Sequence, residues 1–261
     1  MSSPTPAFFI SHGSPDILVR NTSANRFMKS FGTMINKNTK AIVVVSAHWD
    51  TQYPTITYNE RPNIIYDFYG FPKELYRFNY NPPGDLDVSK EIMLCLKDFY
   101  PETSFDYTRG IDHGAWIPLL LALPLANIPV IQLSIQSYRD ARYHYELGEK
   151  LSSLTELGIT LLASGSMTHN LGAINNSIND KVRPEISLFA EWMHSKLVNR
   201  EDNLLIRWQE KAPYAKWNHP THEHILPLFV ILGATKSYRK IKRIHSSIDY
   251  NALSMDSYKI G

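Results

Sequence analysis

Three histidines each follow a short apolar run that is typical of a β-strand. The runs are AFFIS before His12, IVVVSA before His48 and TLLASGSMT before His169. In an open α/β sheet the parallel strands end along one edge, and residues distant in sequence converge in the crevice beyond their carboxyl ends. Because imidazole is the commonest metal ligand in proteins, three histidines in this register predict a metal site. The alternative, that each one caps a strand or bonds a loop carbonyl, is the more natural interpretation of a single histidine.

A second group of histidines lies in the segment HPTHEH at positions 219–224, just before the apolar run ILPL. We expect a helix over His222–Leu232 with Thr221 as its cap. Successive helical residues are rotated by about 100°, so His222, Glu223 and His224 do not all face one point. At most one or two of them therefore reach a common metal. The alternative is a solvated helix start in which Glu223 favours the positive helix end.

The other histidines are less informative. His113, in DHGAW at 112–116, falls in a predicted turn near the crevice, where it would carry a proton or bond a backbone carbonyl. We interpret His144, His194 and His245 as surface or packing residues. The sequence has no GxGxxG, P-loop, GxSxG or HExxH motif, which leaves nucleotide binding, serine hydrolysis of the elbow type and zincin chemistry without support.

Short β-branched runs alternate with longer amphipathic stretches, which indicates βαβ units, an α/β fold and a mostly parallel central sheet flanked by helices. The metal site would lie at the carboxyl edge of this sheet. The predicted strands are Ala7–Ser11, Ala41–Ala47, Pro54–Tyr58, Pro129–Ile135, Thr160–Ala163 and a short one near Leu253–Ile260. The predicted helices are Thr22–Ile35, Val88–Phe99, Trp116–Leu123, Arg139–Leu157, Pro184–Val198 and His222–Leu232.

Composition narrows the class of protein. The 261 residues show no repeat and no linker, so we expect a single catalytic domain over 1–261. Lysine and arginine total 27 against 25 aspartate and glutamate, for a net charge of +2 without a basic stripe, which argues against a nucleic-acid partner.

The single cysteine, Cys95, excludes an intramolecular disulfide and is expected to be a buried small hydrophobe. The sequence has no signal-peptide pattern and no long apolar run, so we expect a cytoplasmic protein that does not associate with a membrane.

A long loop, Asn59 to Asp87, is rich in proline, tyrosine and asparagine and is a candidate lid or binding loop. Its aromatic segment Tyr66–Phe71 would wall a pocket and stack on a ring. The alternative is a loop that is packed by its own aromatic side chains.

Seven ordered motifs spread over nearly the whole chain resemble the class III extradiol ring-cleaving dioxygenases, in particular the 4,5-DOPA dioxygenase extradiol branch. They are SHGSP (11–15), VVVSAHW (43–49), YDFYGFPKELY (66–76), DHGAW (112–116), IPVIQLSI (128–135), ASGSMTHNL (163–171) and PTHEHILPL (220–228). The resemblance implies a one-domain α/β fold with a mononuclear non-haem metal at the edge of the sheet.

The resemblance also implies roles for individual residues. His12 and His48 match metal ligands of the family. The third ligand in this branch is a histidine that matches His224, whereas the classical class III enzymes use a glutamate from the same region, which makes Glu223 the rival. His169 matches the active-site histidine that acts as acid and base and lies close enough to the metal to be a fourth ligand. His113 matches a second pocket histidine, whereas His219 and His222 match no functional residue.

The implied reaction opens a catechol ring, DOPA-like or caffeate-like, with O₂. Two histidines and a third group on one face of Fe(II) leave open positions, as non-haem iron oxygenases require. A histidine with a pKa near neutrality suits the proton transfers. Two rival functions are a hydrolase with Zn(II) in the same site and a non-catalytic binding protein. We expect a monomer or a homodimer.

Overall fold

The computed structural model describes residues 4–35, 37–174 and 182–261. The strands are β1 (Ala7–Ser11), β2 (Ala41–Asp50), β3 (Thr55–Thr57), β4 (Ser104–Asp106), β5 (Val130–Ile135), β6 (Ile159–Gly165), β7 (Ile241–His245), β8 (Ile248–Asp249), β9 (Leu253–Ser254) and β10 (Ser257–Ile260). Eight of them form one sheet in the order β4-β3-β5-β2-β6-β1-β10-β7, and β8 pairs with β9 separately. The pairs β5-β2, β2-β6 and β6-β1 are parallel, and the pairs of β10 with β1 and β7 are antiparallel. The predicted α/β fold with a mostly parallel sheet is confirmed.

The helices cover both faces of this sheet. They are α1 (Ser23–Phe31), α2 (Leu86–Leu96), α3 (His113–Ala122), α4 (Ala141–Lys150), α5 (Ser153–Glu156), α6 (Pro184–Val198), α7 (Asp202–Leu205), α8 (Trp208–Lys211), α9 (Ala215–Asn218) and α10 (Leu226–Ala234). Short 3₁₀ helices lie at Pro15–Leu18, Gly32–Met34, Lys73–Arg77 and Leu171–Ala173. Within the described ranges, no helix is both long enough and apolar enough to cross a bilayer.

The central strands are apolar because both of their faces are buried. Successive strand residues point to opposite faces of a sheet. In β2, Ile42 and Val44 belong to the core layer that contains α1 and α3, whereas Val43 and Val45 belong to the layer that contains α4 and α10. A continuous β-branched run is therefore what a strand covered on both sides requires.

The predicted helix at His222 begins later, at Leu226, and this corrects the sequence-based boundary. Pro227 lies in its first turn, where a missing backbone N–H costs nothing. Thr221 does not cap the helix, and its hydroxyl instead donates to the Glu223 carboxylate at 3.1 Å. His222 and His224 therefore lie in an irregular segment before the helix rather than on one of its faces.

Other boundaries also differ. The predicted helix Arg139–Leu157 is two helices, α4 and α5, and α3 begins at His113 rather than at Trp116. The predicted strand near Leu253–Ile260 is the two strands β9 and β10, while β4, β7 and the short helices α7, α8 and α9 were not predicted. Cys95 is half-buried rather than buried, because it lies toward the edge of the α2 face that contacts the core.

One buried histidine outside the strand-end group predicts a pH dependence of stability. The backbone N–H of Gln136 donates to Nε2 of His144 at 3.2 Å, and Nδ1 of His144 lies 2.8 Å from the carbonyl oxygen of Asp140. Both contacts fit the neutral ring, and burial lowers the pKa of His144 from 6.5 to about 4. The unfolded chain takes up a proton below pH 6.5 and the folded chain resists it, so stability falls as the pH drops from 6.5 toward 4.

We expect His144 to account for about 1–2 kcal/mol of the loss in unfolding free energy between pH 7 and pH 5. Denaturant titration of the metal-free protein measures this loss. His144→Phe should show a shallower dependence over the same range, because the other histidines are common to both proteins. Identical slopes in the two proteins would contradict this explanation.

Candidate functional site

The carboxyl ends of three adjacent parallel strands bring distant histidines together. His12 directly follows β1, His48 lies near the end of β2, and His169 lies four residues beyond the end of β6. Ser11 is in register with Gly165, and Ser46 is in register with Ser164, so β1, β2 and β6 reach this edge of the sheet together, and β2 continues past it to Asp50. The structure therefore confirms that these strand-end histidines lie on one edge of the sheet.

Two more histidines reach this edge from other elements. His113 is the first residue of α3. The N-cap of this helix is Asp112, whose carboxylate accepts a hydrogen bond from the backbone N–H of Ala115 at 3.2 Å. His224 is held against the end of β6, because its carbonyl oxygen accepts from the backbone N–H of Ser166 at 2.8 Å. A Cβ atom on Gly165 would lie 2.1 Å from the same carbonyl oxygen, so this approach requires glycine.

All five of these histidines line one cavity of about 460 Å³. This is within the usual range of about 300–1,000 Å³ for small-molecule sites. Its remaining lining is mainly apolar: Pro15, Phe68, Tyr69, Phe71, Leu171, Ile174 and Leu253, with Gly13, Ser14 and Ser166. The cavity lining thus combines five imidazole rings with apolar side chains that suit an aromatic ring.

His12 presents an unprotonated nitrogen to the cavity. Its Nδ1 lies 2.9 Å from the carbonyl oxygen of Gly13, and a carbonyl oxygen only accepts, so Nδ1 bears the proton. Nε2 is buried and has no hydrogen-bond partner in the part of the chain that the structure describes. Burial, and then the proximity of His113, lowers the pKa of His12 to about 3. A buried, neutral imidazole with a free lone pair fits a metal ligand.

His48 and His224 face each other through their Nε2 atoms, which are 3.3 Å apart. Nδ1 of His224 lies 2.8 Å from Oε1 of Glu223, so the proton of this ring belongs on Nδ1. Burial lowers the pKa of both His48 and His224 well below the usual value. Two ligand nitrogens at about 2.1 Å from one ion lie about 3.0–3.4 Å apart. The separation observed here therefore fits a shared cation.

Potential ligand atoms form two groups. One ligand atom from each of His12, His48 and His113 lies within 4.8 Å of the others, and the same holds for His169, Glu223 and His224. Glu223 lies on the Nδ1 side of His224 and is absent from the cavity lining. Its carboxylate is placed to orient histidines.

His169 stacks on His224, with ring centroids 3.3 Å apart and planes at 13°. Its Nδ1 lies 3.8 Å from Oε1 of Glu223. Burial, and then the charge of His113, lowers the pKa of His169 to about 4. His169 is therefore a neutral imidazole with a carboxylate nearby that would stabilise its protonated form.

Asp67 lies beside His113 and was not identified from the sequence. Its Oδ1 accepts from the backbone N–H of His113 at 2.8 Å and lies 2.9 Å from His113 Nδ1. Burial acts to raise the pKa of Asp67, but the contacts with His113 outweigh it and the net pKa is lowered. The only sequence signal for this residue is its place inside the aromatic motif.

The aromatic segment Tyr66–Phe71 both lines the cavity and packs against other aromatic side chains of its own loop. Phe68, Tyr69 and Phe71 line the cavity. Phe68 also packs against other aromatic rings of the loop, with centroids 5.0 Å from Tyr76 and 5.5 Å from Phe71. The loop is therefore packed by its own side chains and walls the site at the same time.

Several histidines lie outside the cavity lining, as expected from the sequence. His219 is buried with its Nε2 2.9 Å from the carbonyl oxygen of Met167, and His222 contacts the carbonyl oxygen of Ser137. His245 stacks on Phe27 with centroids 4.5 Å apart, and His194 lies on α6. His144 is a packing residue between α4 and the end of β5.

A family model described as the catalytic LigB subunit of aromatic ring-opening dioxygenase matches residues 5–260. The chain belongs to this family. It is an extradiol ring-cleaving dioxygenase, and the sequence-based resemblance is confirmed. Membership implies an aromatic substrate, O₂ and a non-haem metal, which the donor set of the cavity fits.

Similar proteins include a 4,5-DOPA dioxygenase extradiol of Beta vulgaris, 39% identical over 97% of this chain and 95% of that protein. A 4,5-DOPA dioxygenase extradiol of Escherichia coli K12 is 35% identical over 98% of this chain and 94% of its own length. The crystal structure of an uncharacterized protein from Escherichia coli K12 superposes with a TM-score of 0.82 at 32% identity, over 98% of this chain and 100% of that one. The last match supports the fold.

Proposed function

We propose that the protein opens the ring of a catechol with O₂ at a mononuclear Fe(II) held by His12, His48 and His224. His169 would act as acid and base, and His113 would assist it. The observation that supports this most directly is the cluster of five histidines that line one cavity, in which Nε2 of His12 is buried and has no hydrogen-bond partner among the described residues. Zn(II) would fit the same nitrogen ligands.

When bound, Fe(II) supplies open coordination positions and the electrons that dioxygen chemistry needs. The three histidines are suited to hold it because each is neutral and two have their Nδ1 protons fixed by neighbouring oxygens. Their burial means that protons compete weakly for the ligand nitrogens near neutral pH. A site of this kind is preorganised before metal binds.

His169 is placed to receive the proton of a catechol hydroxyl. Burial keeps its ring neutral, which leaves a nitrogen free to accept a proton, but a pKa of about 4 makes the ring a weaker base than the near-neutral histidine expected from the sequence. Oε1 of Glu223, 3.8 Å from Nδ1, would favour the imidazolium and offset part of this effect. His113 lies on the opposite side of the cluster, with its ring centroid 3.9 Å from that of His48 and its Nδ1 against Asp67. It would hold a second proton near the substrate.

For the substrate, we propose a catechol with a DOPA-like or caffeate-like side chain. The relatives from Beta vulgaris and Escherichia coli are 4,5-DOPA dioxygenases, and both match nearly the whole chain. Phe68, Phe71 and Leu253 supply apolar surface beside the histidines for the ring. Tyr69 is 87% exposed and Leu171 56% exposed while both line the cavity, so they would contact the side chain at its mouth.

Turnover of a set of phenols tests this proposal. The Fe(II) protein is expected to convert DOPA and caffeate into yellow products that are heavier by two oxygen atoms, as mass spectrometry would show. Resorcinol is the matched control, because its hydroxyls are not adjacent and do not chelate one metal. Equal turnover of resorcinol would contradict the proposal, and so would intact DOPA, caffeate and catechol after incubation.

The identity of the third ligand is tested by comparing two variants. His224→Ala is expected to lose metal, because it removes Nε2 beside His48. Glu223→Ala is expected to keep the metal with an affinity lower by about 10–100-fold, as for other groups that orient a ligand. Iron content after dialysis measures whether each variant keeps its metal, and competition with a chelator measures the metal affinity. Loss of metal in Glu223→Ala alone would show that Glu223 is the ligand.

A further inference from the structure

The loop segment that contains Asp67 is fixed to the chain that leads into α3. The backbone N–H of Ile65 donates to the carbonyl oxygen of Ile111, and that of Ile111 donates to Asn63, both at 2.7 Å. The indole N–H of Trp116 donates to the carbonyl oxygen of Ile65 at 3.0 Å. These bonds hold the backbone two residues before Asp67 in a defined place relative to His113.

The residues on either side of Asp67 are anchored as well. The hydroxyl of Tyr66 donates to the carbonyl oxygen of Phe78 at 2.7 Å. Phe68 is buried, and the hydroxyl of Tyr76 donates to its carbonyl oxygen at 3.2 Å. The position of the Asp67 side chain therefore follows from a loop that is bonded on both flanks.

The carboxylate of Asp67 lies between two histidines of the cluster. Its Oδ1 contacts both the backbone N–H and Nδ1 of His113, at 2.8 and 2.9 Å, and its Oδ2 lies 3.8 Å from Nδ1 of His48. An ionised carboxylate only accepts hydrogen bonds. At 2.9 Å it favours the ring form of His113 that has its proton on Nδ1, although the ring N–H is not aligned with the oxygen as a hydrogen bond. The 3.8 Å separation from His48 is too long for a hydrogen bond and leaves only an electrostatic attraction.

We propose that Asp67 is a positioning residue that fixes the tautomer and ring orientation of His113, so that Nε2 of this ring faces the cavity. This inference rests on the proposed role of His113 as a proton carrier. The aromatic loop then has two tasks: it walls the cavity through Phe68 and Tyr69, and it orients His113 through Asp67. Partners of this kind orient ligand imidazoles, and their loss typically costs about 10–100-fold in metal affinity or activity.

The test compares Asp67→Asn with Glu74→Gln, a charge-neutralising change at an exposed position of the same loop. Metal-free protein with ¹⁵N-labelled histidine gives the tautomer of each ring by NMR, and a His113→Gln variant assigns the His113 signals. We expect the Nδ1–H form of His113 in the wild type and in Glu74→Gln, and its loss or mixing in Asp67→Asn. In Asp67→Asn, kcat at saturating iron and catechol should fall about 10–100-fold, with iron affinity, KM and the melting temperature little changed. Asp67→Glu, which restores a carboxylate, should recover part of the Nδ1–H signal.

An unchanged His113 tautomer in Asp67→Asn would overturn the proposal, whatever happens to activity. Loss of activity that accompanies a large fall in melting temperature, with the tautomer intact, would assign Asp67 a structural role instead. The tautomer readout needs neither metal nor turnover. A wild-type protein that failed to oxidise any catechol would therefore count against the proposed function alone, and the NMR result would still decide the role of Asp67.

Discussion

Alanine in place of His12 or His48 is expected to abolish metal binding, with a loss of affinity greater than about 100-fold and no measurable ring cleavage. Each change removes a buried neutral imidazole from the cluster, and the loss of a ligand exceeds the 10–100-fold typical of groups that only orient one. Among the described residues, Nε2 of His12 has no hydrogen-bond partner, so its lone pair is available to a metal ion in the cavity. Metal content after anaerobic reconstitution and dialysis measures the effect.

The matched control is His194→Ala, on the partly exposed face of α6 and outside the cavity lining. It should bind metal and turn over catechol as the wild type does. Thermal unfolding of each metal-free variant shows whether the fold is retained. Full metal content in His12→Ala or His48→Ala would remove the basis of the site assignment.

His169→Ala should separate chemistry from metal binding. We expect it to retain at least part of its metal and to lose about 10²–10⁴-fold in kcat, the usual contribution of general acid and base catalysis. The reason is that His169 stacks on His224 and lies near Glu223, whereas the nitrogens of His12, His48 and His224 remain in place. Iron content and initial rates of O₂ consumption, measured on the same preparation, test both halves of this expectation.

His169→Gln is the companion variant, because it keeps a polar side chain of similar size without a titratable ring. It should show the same fall in kcat as His169→Ala. Wild-type kcat in both variants would exclude His169 as the acid–base group and would direct attention to His113. Complete loss of iron in both would instead make His169 a required ligand.

The sequence predicted the strand-end histidines because a parallel sheet leaves little freedom there. A buried strand has to be apolar, and the first polar residues after it lie at the common edge. His12 and His48 follow from this rule alone. His169 is farther from its strand, and its place depends on tertiary bonds: its backbone N–H donates to the carbonyl oxygen of Asn218, and that of Ser166 donates to the carbonyl oxygen of His224, both at 2.8 Å.

The placement of His224 and Asp67 could not be derived in the same way. The rotation argument for the HPTHEH segment assumed a helix from His222, but α10 begins at Leu226 and the segment before it is irregular. The positions of the His224 and Glu223 side chains depend on contacts with β6 and His169. Asp67 is fixed by bonds between a long loop and the start of α3, which are tertiary contacts that periodicity does not encode.

The central claim is that these histidines hold iron for ring cleavage, and oxygen uptake tests it most directly. Protein reconstituted anaerobically with Fe(II) is mixed with DOPA, caffeate or catechol in an oxygen electrode, beside a zinc-loaded control. We predict consumption of one O₂ per catechol with a yellow ring-opened product, and no uptake with zinc. Tight metal binding without oxygen uptake for any catechol, or equal uptake with zinc, would contradict this account.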